Sequence, residues 1–522
     1  MKKLFAILLA LIMMLTMIPA FAEGEVAQIG ETKYATLDEA INAAVEGDII
    51  VLLADCTTAG MNLSKNLTID GGESKYTVTF NDEGIALWGK SLMFKNCKVV
   101  MEGIHSTPYE EWNWMTICAS KDASLTLDNA DMIMDDKNDE TLHNKTPGQH
   151  AIYFCSNNKL NIVNGSTLTI KNYTQDALEW DGGDGGYNVN ITNSTFISDH
   201  NRSGFTGTFT AGIYNSKVDV INSTGNGSNG SHFEIVNGSV VNFSYNNAHG
   251  LSTGRLTIDN STVTANGNGA NGVHAGDTLI IKNEAVVEIK ENNCSISSKW
   301  TIPGALYVAG ADGSNIDKTS GVTITENKGS GILLIKGGSL IIEEGAKLTV
   351  MNNTAEKLEY GGGANVRGDL TLPNSAVFYN NHAAKAGDDI YNAEGASITF
   401  GNVGSNWILD DCNHTIDGWY KDGMPGEGDT IGKRWCGTYD GNVCVSNGEA
   451  YMESMQAGEY ETKIALKAAH GAQTTPPSPT PDGGGHTHYD PTPSVPVVVV
   501  VPPKTGDMPL WYGIARFLGL VK

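Results

Sequence analysis

The sequence predicts an all-β fold built as a solenoid, and three observations carry that prediction. One pattern recurs at a short, steady period: Asn193, Asn215, Asn237, Asn260 and Asn283 follow one another at intervals of 22, 22, 23 and 23 residues. Each Asn sits in the same frame, with apolar residues four before, two before and three after it: Val189, Ile191, Phe196; Ala211, Ile213, Val218; Phe233, Ile235, Val240; Leu256, Ile258, Val263; Leu279, Ile281, Val286. Within the frame the apolar residues alternate with period two, and Gly, Ser or Asn separate the runs, so each period is strand, turn, strand.

A unit this short cannot bury its own apolar face and must stack on its neighbours. The coils look like those of a right-handed parallel β-helix, three short strands to a turn, stacked at about 4.8 Å per coil. Leucine-rich repeats share the length, but their L-x-x-L-x-L-x-x-N spacing is absent. The recurrent Asn is expected to hold a left-handed turn and to offer its amide to the Asn of the next coil.

Residues 1–22 read as a secretory signal peptide: Lys2 and Lys3, an apolar run from Leu4 to Ile18, then the small-x-small site Ala20-Phe21-Ala22. The chain carries 34 Lys plus Arg against 59 Asp plus Glu, a net charge of −25, with 18% of residues charged. That balance argues against nucleic acid or an anionic membrane as partner. Eight cysteines in 522 residues do not make a disulfide scaffold, so Cys56, Cys97, Cys118, Cys155 and Cys294 are expected as small buried hydrophobes. Cys436 and Cys444 are placed to close a hairpin around Asp440-Gly441.

A cap is expected over residues 23–54. Thr36-Leu37-Asp38-Glu39 is a capping box, Leu37, Ala40, Ile41 and Ala44 follow at helical spacing, and Gly47-Asp48 ends the helix before a strand at Ile49–Leu53. Tyr34 to Ile41 followed by Gly47-Asp48-Ile49-Ile50 resembles the N-terminal entry of secreted bacterial β-helix proteins of the pectate-lyase-like superfamily. The resemblance implies the fold and leaves the chemistry open.

The frame extends outward through Leu92, Phe94, Asn96, Val99; Leu125, Leu127, Asn129, Met132; Leu160, Ile162, Asn164, with Leu168 one place late; Leu340, Ile342; Leu370, Leu372, Asn374, Val377; and Ile398, Phe400. The β-helix is assigned to 55–410 and its C-terminal cap to 411–473. Gly387-Asp388-Asp389-Ile390-Tyr391-Asn392, the Gly418-Trp419-Tyr420 segment and Ala465 to Gly471 resemble the last coil and cap of surface β-helix proteins from gut Gram-positive bacteria. That likeness implies tryptophans plugging the solenoid end.

Longer intervals mark insertions. Asn96 to Asn129 is 33 residues, Asn129 to Asn164 is 35 and Asn164 to Asn193 is 29. Ile117, Ile152, Leu178, Leu251 and Val273 are assigned to one strand column, which puts loops of three consecutive coils beside it. Loops confined to one face of a repeat protein are often its binding face. Tyr109, Trp112 and Trp114 lie in the first loop, Asp135, Asp136, Asp139 and Glu140 in the second, and Glu179, Trp180, Asp181, Asp184 and Tyr187 in the third. Aromatics interleaved with carboxylates suit a carbohydrate, whose ring faces stack on aromatics while its hydroxyls need polar partners. Tyr109, Trp112, Trp114, Trp180 and Tyr187 are the candidate sugar contacts.

Catalysis would need acid and base groups at defined separation, and the best candidates are His150, Asp176, Glu179, Asp181 and Asp184, with His200 and Arg202 one coil on. The chain lacks the Asp-Asp pair followed by Gly-His-Gly, and the Arg-x-Lys, of polygalacturonase-like hydrolases. No zinc-type Cys/His spacing, Gly-x-Ser-x-Gly or phosphate loop is present. No metal is assigned, and Ca²⁺ is a candidate among the acids. His249 and His274 are expected as surface histidines of regular coils.

Residues 474–503 are a Pro-rich linker favouring extended polyproline II, and 504–522 a tail. Pro502-Pro503-Lys504-Thr505-Gly506-Asp507 resembles a sortase sorting signal, which implies cleavage between Thr505 and Gly506 and linkage to peptidoglycan. Pro502 stands where that motif has Leu, and Met508–Lys522 is shorter than the roughly 20 residues of a membrane span. The expectation is a monomeric, secreted, cell-surface or wall-linked protein that binds an extracellular polysaccharide or host glycan. A polysaccharide lyase or glycoside hydrolase, and a ligand-free spacer, are the alternatives.

Overall fold

The computed structural model describes residues 24–108, 114–137, 149–155, 157–182, 187–294, 304–311, 313–355, 360–401, 408–409, 414–415, 418–422, 439–440, 443–444, 454–455, 457–461 and 463–469. The leader, the linker, Thr505 and Gly506 lie outside them, as do Tyr109, Trp112, Asp184 and Cys436.

The fold is the predicted parallel β-solenoid. Each regular coil contributes two strands to a 30-stranded sheet and one to a 13-stranded sheet. In three coils the first two strands are continuous, as Ser228–Val236, Leu251–Asp259 and Val273–Lys282. The strands stack parallel and in register: Leu92 pairs Leu125, then Leu160, Val189, Ala211, Phe233, Leu256 and Leu279. These side chains are fully buried and belong to one core running along the coils, where Phe196, Phe205, Phe233 and Phe243 pack 5.0–6.2 Å apart. Burying each such side chain contributes about 1.5–3 kcal/mol.

The recurrent asparagines do hold the left-handed conformation. Asn96, Asn129, Asn164, Asn193, Asn215, Asn237, Asn260 and Asn283 have φ between 46° and 60°. The amide-to-amide link joins Asn129 to Asn96 at 2.8 Å and Asn215 to Asn193 at 2.7 Å. Asn164 and Asn283 donate instead to Asp128 and Asp259.

The frame slips by one place at three turns. Asn164-Gly165, Asn237-Gly238 and Asn283-Glu284 put two successive residues at positive φ. The extra residue carries Leu168, Val241 and Val287 inward, so Val240 and Val286 are 51% and 50% exposed rather than buried. Val377 is likewise displaced, and Phe378 fills the core.

A second polar ladder runs inside the coils. Asn246, Asn268, Asn292, Asn327, Asn353 and Asn381 are all at most 4% exposed. Each side-chain oxygen after the first accepts both the backbone N–H and the side-chain N–H of the preceding Asn, at 2.8–3.1 Å. The ladder ends on the buried carboxylate of Asp389, which accepts from Asn381 Nδ2 at 2.8 Å and from the Ala468 N–H.

Both ends are closed by antiparallel strands, which removes the open edge that invites aggregation. At the N-terminus, Thr36 caps α1 (Leu37–Ala43) by accepting from the Glu39 N–H, and Leu37 and Ala40 are buried. The first parallel strand, Ile49–Leu52, pairs with the antiparallel strand Ala27–Ile29. At the other end Gly458–Tyr460 lies antiparallel on Ser397–Phe400, and Ile464–Ala469 on Ile390–Asn392. Trp419, 3% exposed, stacks on Phe400 and so covers the end of the core.

Cys56, Cys97, Cys118 and Cys294 are buried free thiols and Cys155 is half-buried. Burial pushes Cys56 up to about 11 and Cys97 to about 12, so both stay protonated and unreactive at neutral pH. Tyr439–Asp440 and Val443–Cys444 form the expected hairpin.

Candidate functional site

The predicted strand column is present, with Phe205 and Ser228 completing it: Ile117, Ile152, Leu178, Phe205, Ser228, Leu251 and Val273 pair in succession. Because side chains alternate across a strand, the residues one place on form a neighbouring column on the outer face: Cys118, Tyr153, Glu179, Thr206, Asn229, Ser252, His274, Tyr307. Two places before the inward residue, at the entry turn, stands a third column. Backbone hydrogen bonds align Asp176, Ser203, Asn226, His249 and Asn271 there, with His150 heading it.

These columns bring the predicted acids together. His150 Nδ1 lies 2.7 Å from Glu179 Oε2. Asp176, fully buried, accepts two bonds from Arg202, Nε to Oδ1 at 3.0 Å and Nη2 to Oδ2 at 2.6 Å. The Tyr153 hydroxyl donates to Asp181 Oδ2 at 3.0 Å; burial first, and then this bond, raise the phenol above its ordinary range and keep it a donor. Trp114 sets its ring edge-to-face against His150 at 5.2 Å and Tyr153 at 4.9 Å. Beneath it Ala86, Met115 and Cys118 form a small separate apolar cluster.

Trp180, His200, Asp135 and Asp136 do not join this group. Trp180 is 1% exposed: it alternates inward with Leu178, packs against Phe154 at 5.1 Å and Phe209 at 5.7 Å, and donates Nε1 to the Asn158 carbonyl. It is a core residue and presents no face to a sugar. Tyr187 opens the strand Tyr187–Thr192, and its side chain lies outside the described residues. His200 sits in an exposed turn beside Asp199. Asp135 and Asp136 are buried rather than loop acids. Burial would raise Asp135, but Asn172, the Lys137 N–H and Lys171 outweigh it and hold the carboxyl below its ordinary range. Asp136 faces His105 Nδ1 at 2.6 Å.

His150, Asp176 and Glu179 each bring a ligand atom within 4.8 Å of the others. The set does not fit Ca²⁺, which takes six to eight oxygens: one donor is a nitrogen, and both Asp176 oxygens are engaged by Arg202. The guanidinium supplies the positive charge here.

Sequence reasoning missed Tyr153, which the alternation Ile152-Tyr153-Phe154 puts on the outer face. It grouped Asp176 with Arg202 but did not foresee their pairing, 26 residues apart and made only by stacking of coils.

Fold and site define a capped parallel β-solenoid with a polar, aromatic-edged face. Compared with known proteins, the chain matches no family model and no curated sequence.

Proposed function

We propose that this protein is an exported, surface-displayed β-solenoid that binds an extracellular glycan on the outer face around Trp114. The observation that carries the reading is the convergence of Trp114, Tyr153, His150, Glu179, Asp181 and the Asp176–Arg202 pair from four consecutive coils onto one strand face. An aromatic edge beside fixed carboxylates and an imidazole offers a ring face a platform and hydroxyls their acceptors. The carboxylates outnumber the cations, which favours neutral or amino-bearing sugars over uronates. The leader-like N-terminus and the sorting-signal-like C-terminus support display at the surface, through Thr505 linked to peptidoglycan.

A glycan array on the purified protein tests this. Binding lost in Trp114→Ala, with unchanged thermal midpoint, is the expected result; a Trp114→Ala protein that binds like the parent overturns it.

A second reading, glycan cleavage, is favoured by the His150–Glu179 contact. His150 Nδ1 lies 2.7 Å from Glu179 Oε2, and Tyr153 is a protonated donor on the same face. Incubation with polysaccharides, followed for reducing ends and for unsaturated-product absorbance, separates the two. Product that vanishes in Asp181→Asn makes the site catalytic.

A further inference from the structure

The C-terminal closure holds a cluster of ionisable side chains that the Trp114 cluster does not use. Lys467 lies in the strand Ile464–Ala469, between Leu466 and Ala468, which belong to the core. It alternates to the other face and is still only 5% exposed; among the described residues no other lysine is buried. Its Nζ stands 2.6 Å from Asp388 Oδ2, and Asp388 is buried as well. A buried ion pair is often no more stabilising than apolar side chains of the same volume, so this one points to a role besides stability.

The surroundings of Asp388 suit attack on its carboxyl carbon. Oδ1 accepts the Ala383 N–H at 2.9 Å, and the half-exposed His382 has Nδ1 3.4 Å away, so donors sit where negative charge would develop. The Asp388 N–H is held by Asp422 Oδ2 at 2.7 Å. Asp389, next in the chain, is buried and accepts the N–H of Ala468, the residue after Lys467, at 2.8 Å, which sets it against both partners. Burial raises its carboxyl to about 6, against the lowering bonds from Asn381 and Ala468 and the charge of Lys467. An acid in that range can hold a proton near neutral pH and hand it on.

We infer that Lys467 and Asp388 join in an intramolecular amide that locks the strand Ile464–Ala469 to the solenoid, with Asp389 as the proton relay. Removal from water disfavours the charged forms of both partners. The ammonium gives one proton to Asp388 Oδ2 along their contact and becomes the free amine, the nucleophilic form of lysine. Nζ then bonds to Cγ, a second amine proton passes through Asp389 to the Oδ2 hydroxyl, the Cγ–Oδ2 bond breaks, and one water leaves. Nothing is oxidised or reduced, and Asp389 ends as it began. The locked strand is otherwise held by backbone hydrogen bonds to Ile390–Asn392 and Gly418–Lys421, which open one after another when the chain beyond is pulled. A protein displayed through its C-terminus, as proposed above, is loaded at this strand first; the amide itself does not depend on that reading.

Trypsin digestion of the full protein, boiled in detergent and followed by mass spectrometry, tests the bond. The expected species joins the peptide bearing Asp388 to the peptide bearing Lys467, is lighter than the two together by one water, and is uncut after Lys467. Lys467→Met should abolish it, and Asp389→Asn should lose it while keeping a cooperative melt. Two separate peptides from the parent, with cleavage after Lys467, overturn the amide and leave an ion pair, whatever the variants do. Linked peptide from Asp389→Asn at the parent's yield overturns the relay.

Discussion

Arg202 grips Asp176 across two adjacent coils with its guanidinium fork parallel to the carboxylate, one partner on the surface and the other fully buried. Bidentate pairing of this kind fixes geometry as well as charge. The pair ties the coil carrying Glu179 to the next and sets the floor of the acidic cluster.

Removing the guanidinium leaves a buried carboxylate alone. Arg202→Met is expected to cost about 2 kcal/mol, below the range for a wholly buried pair because Arg202 is half exposed. The double variant Asp176→Asn/Arg202→Met should recover most of it. Urea unfolding of the three proteins checks this; a double variant no more stable than the single one would contradict it.

Trp180 and Trp114 separate core from site. Trp180→Ala empties a fully buried position and should cost about 3–5 kcal/mol. Trp114→Ala should move stability by much less and change ligand binding. Thermal melts alongside binding isotherms distinguish the two, and equal melts would contradict the burial assignment.

The internal asparagine ladder is expected to be intolerant of truncation. Asn268→Ala takes the acceptor from two donors of Asn246 and should cost about 2–4 kcal/mol. At the outer turn, Asn193→Gly should be nearly neutral, while Asn193→Val should cost about 1–2 kcal/mol because φ is +51° there. Hydrogen exchange at the neighbouring coils reads both effects locally.

Asp389 gives the C-terminal closure a pH dependence. Burial raises its carboxyl from 3.8 to about 6, against the lowering bonds from Asn381 and Ala468 and the charge of Lys467, with Asp388 adding to the rise. The folded state therefore holds the proton more tightly than the unfolded chain, and stability rises as pH falls from above 6 toward 4, by on the order of 2 kcal/mol. His274 works in the opposite sense: its folded value lies below 6.5, so protonation between about 6.5 and 4 destabilises. The comparison that isolates Asp389 is the melt of the parent against Asp389→Asn from pH 7.5 to 4.5. The parent should gain on the variant as pH falls, and parallel curves would contradict the assignment.

The local signals were legible because they carry local costs. An Asn every 22 or 23 residues marks a left-handed turn that few residues adopt cheaply, and period-two alternation assigns the inward residues that follow. The same alternation placed Trp180 with Leu178 on the inner face, a signal overridden by treating the segment as a loop. The slip at Val240 and Val286 depended on one extra residue in a turn, which reverses every side chain after it. Sequence alone thus determined a capped, all-β stack of three-strand coils and the column where insertions gather. Tertiary structure alone decided that Arg202 meets Asp176 and that six buried asparagines form one ladder ending on Asp389. Those relationships join residues from different coils, and only the register of stacking, set by the whole core at once, brings them within hydrogen-bonding range.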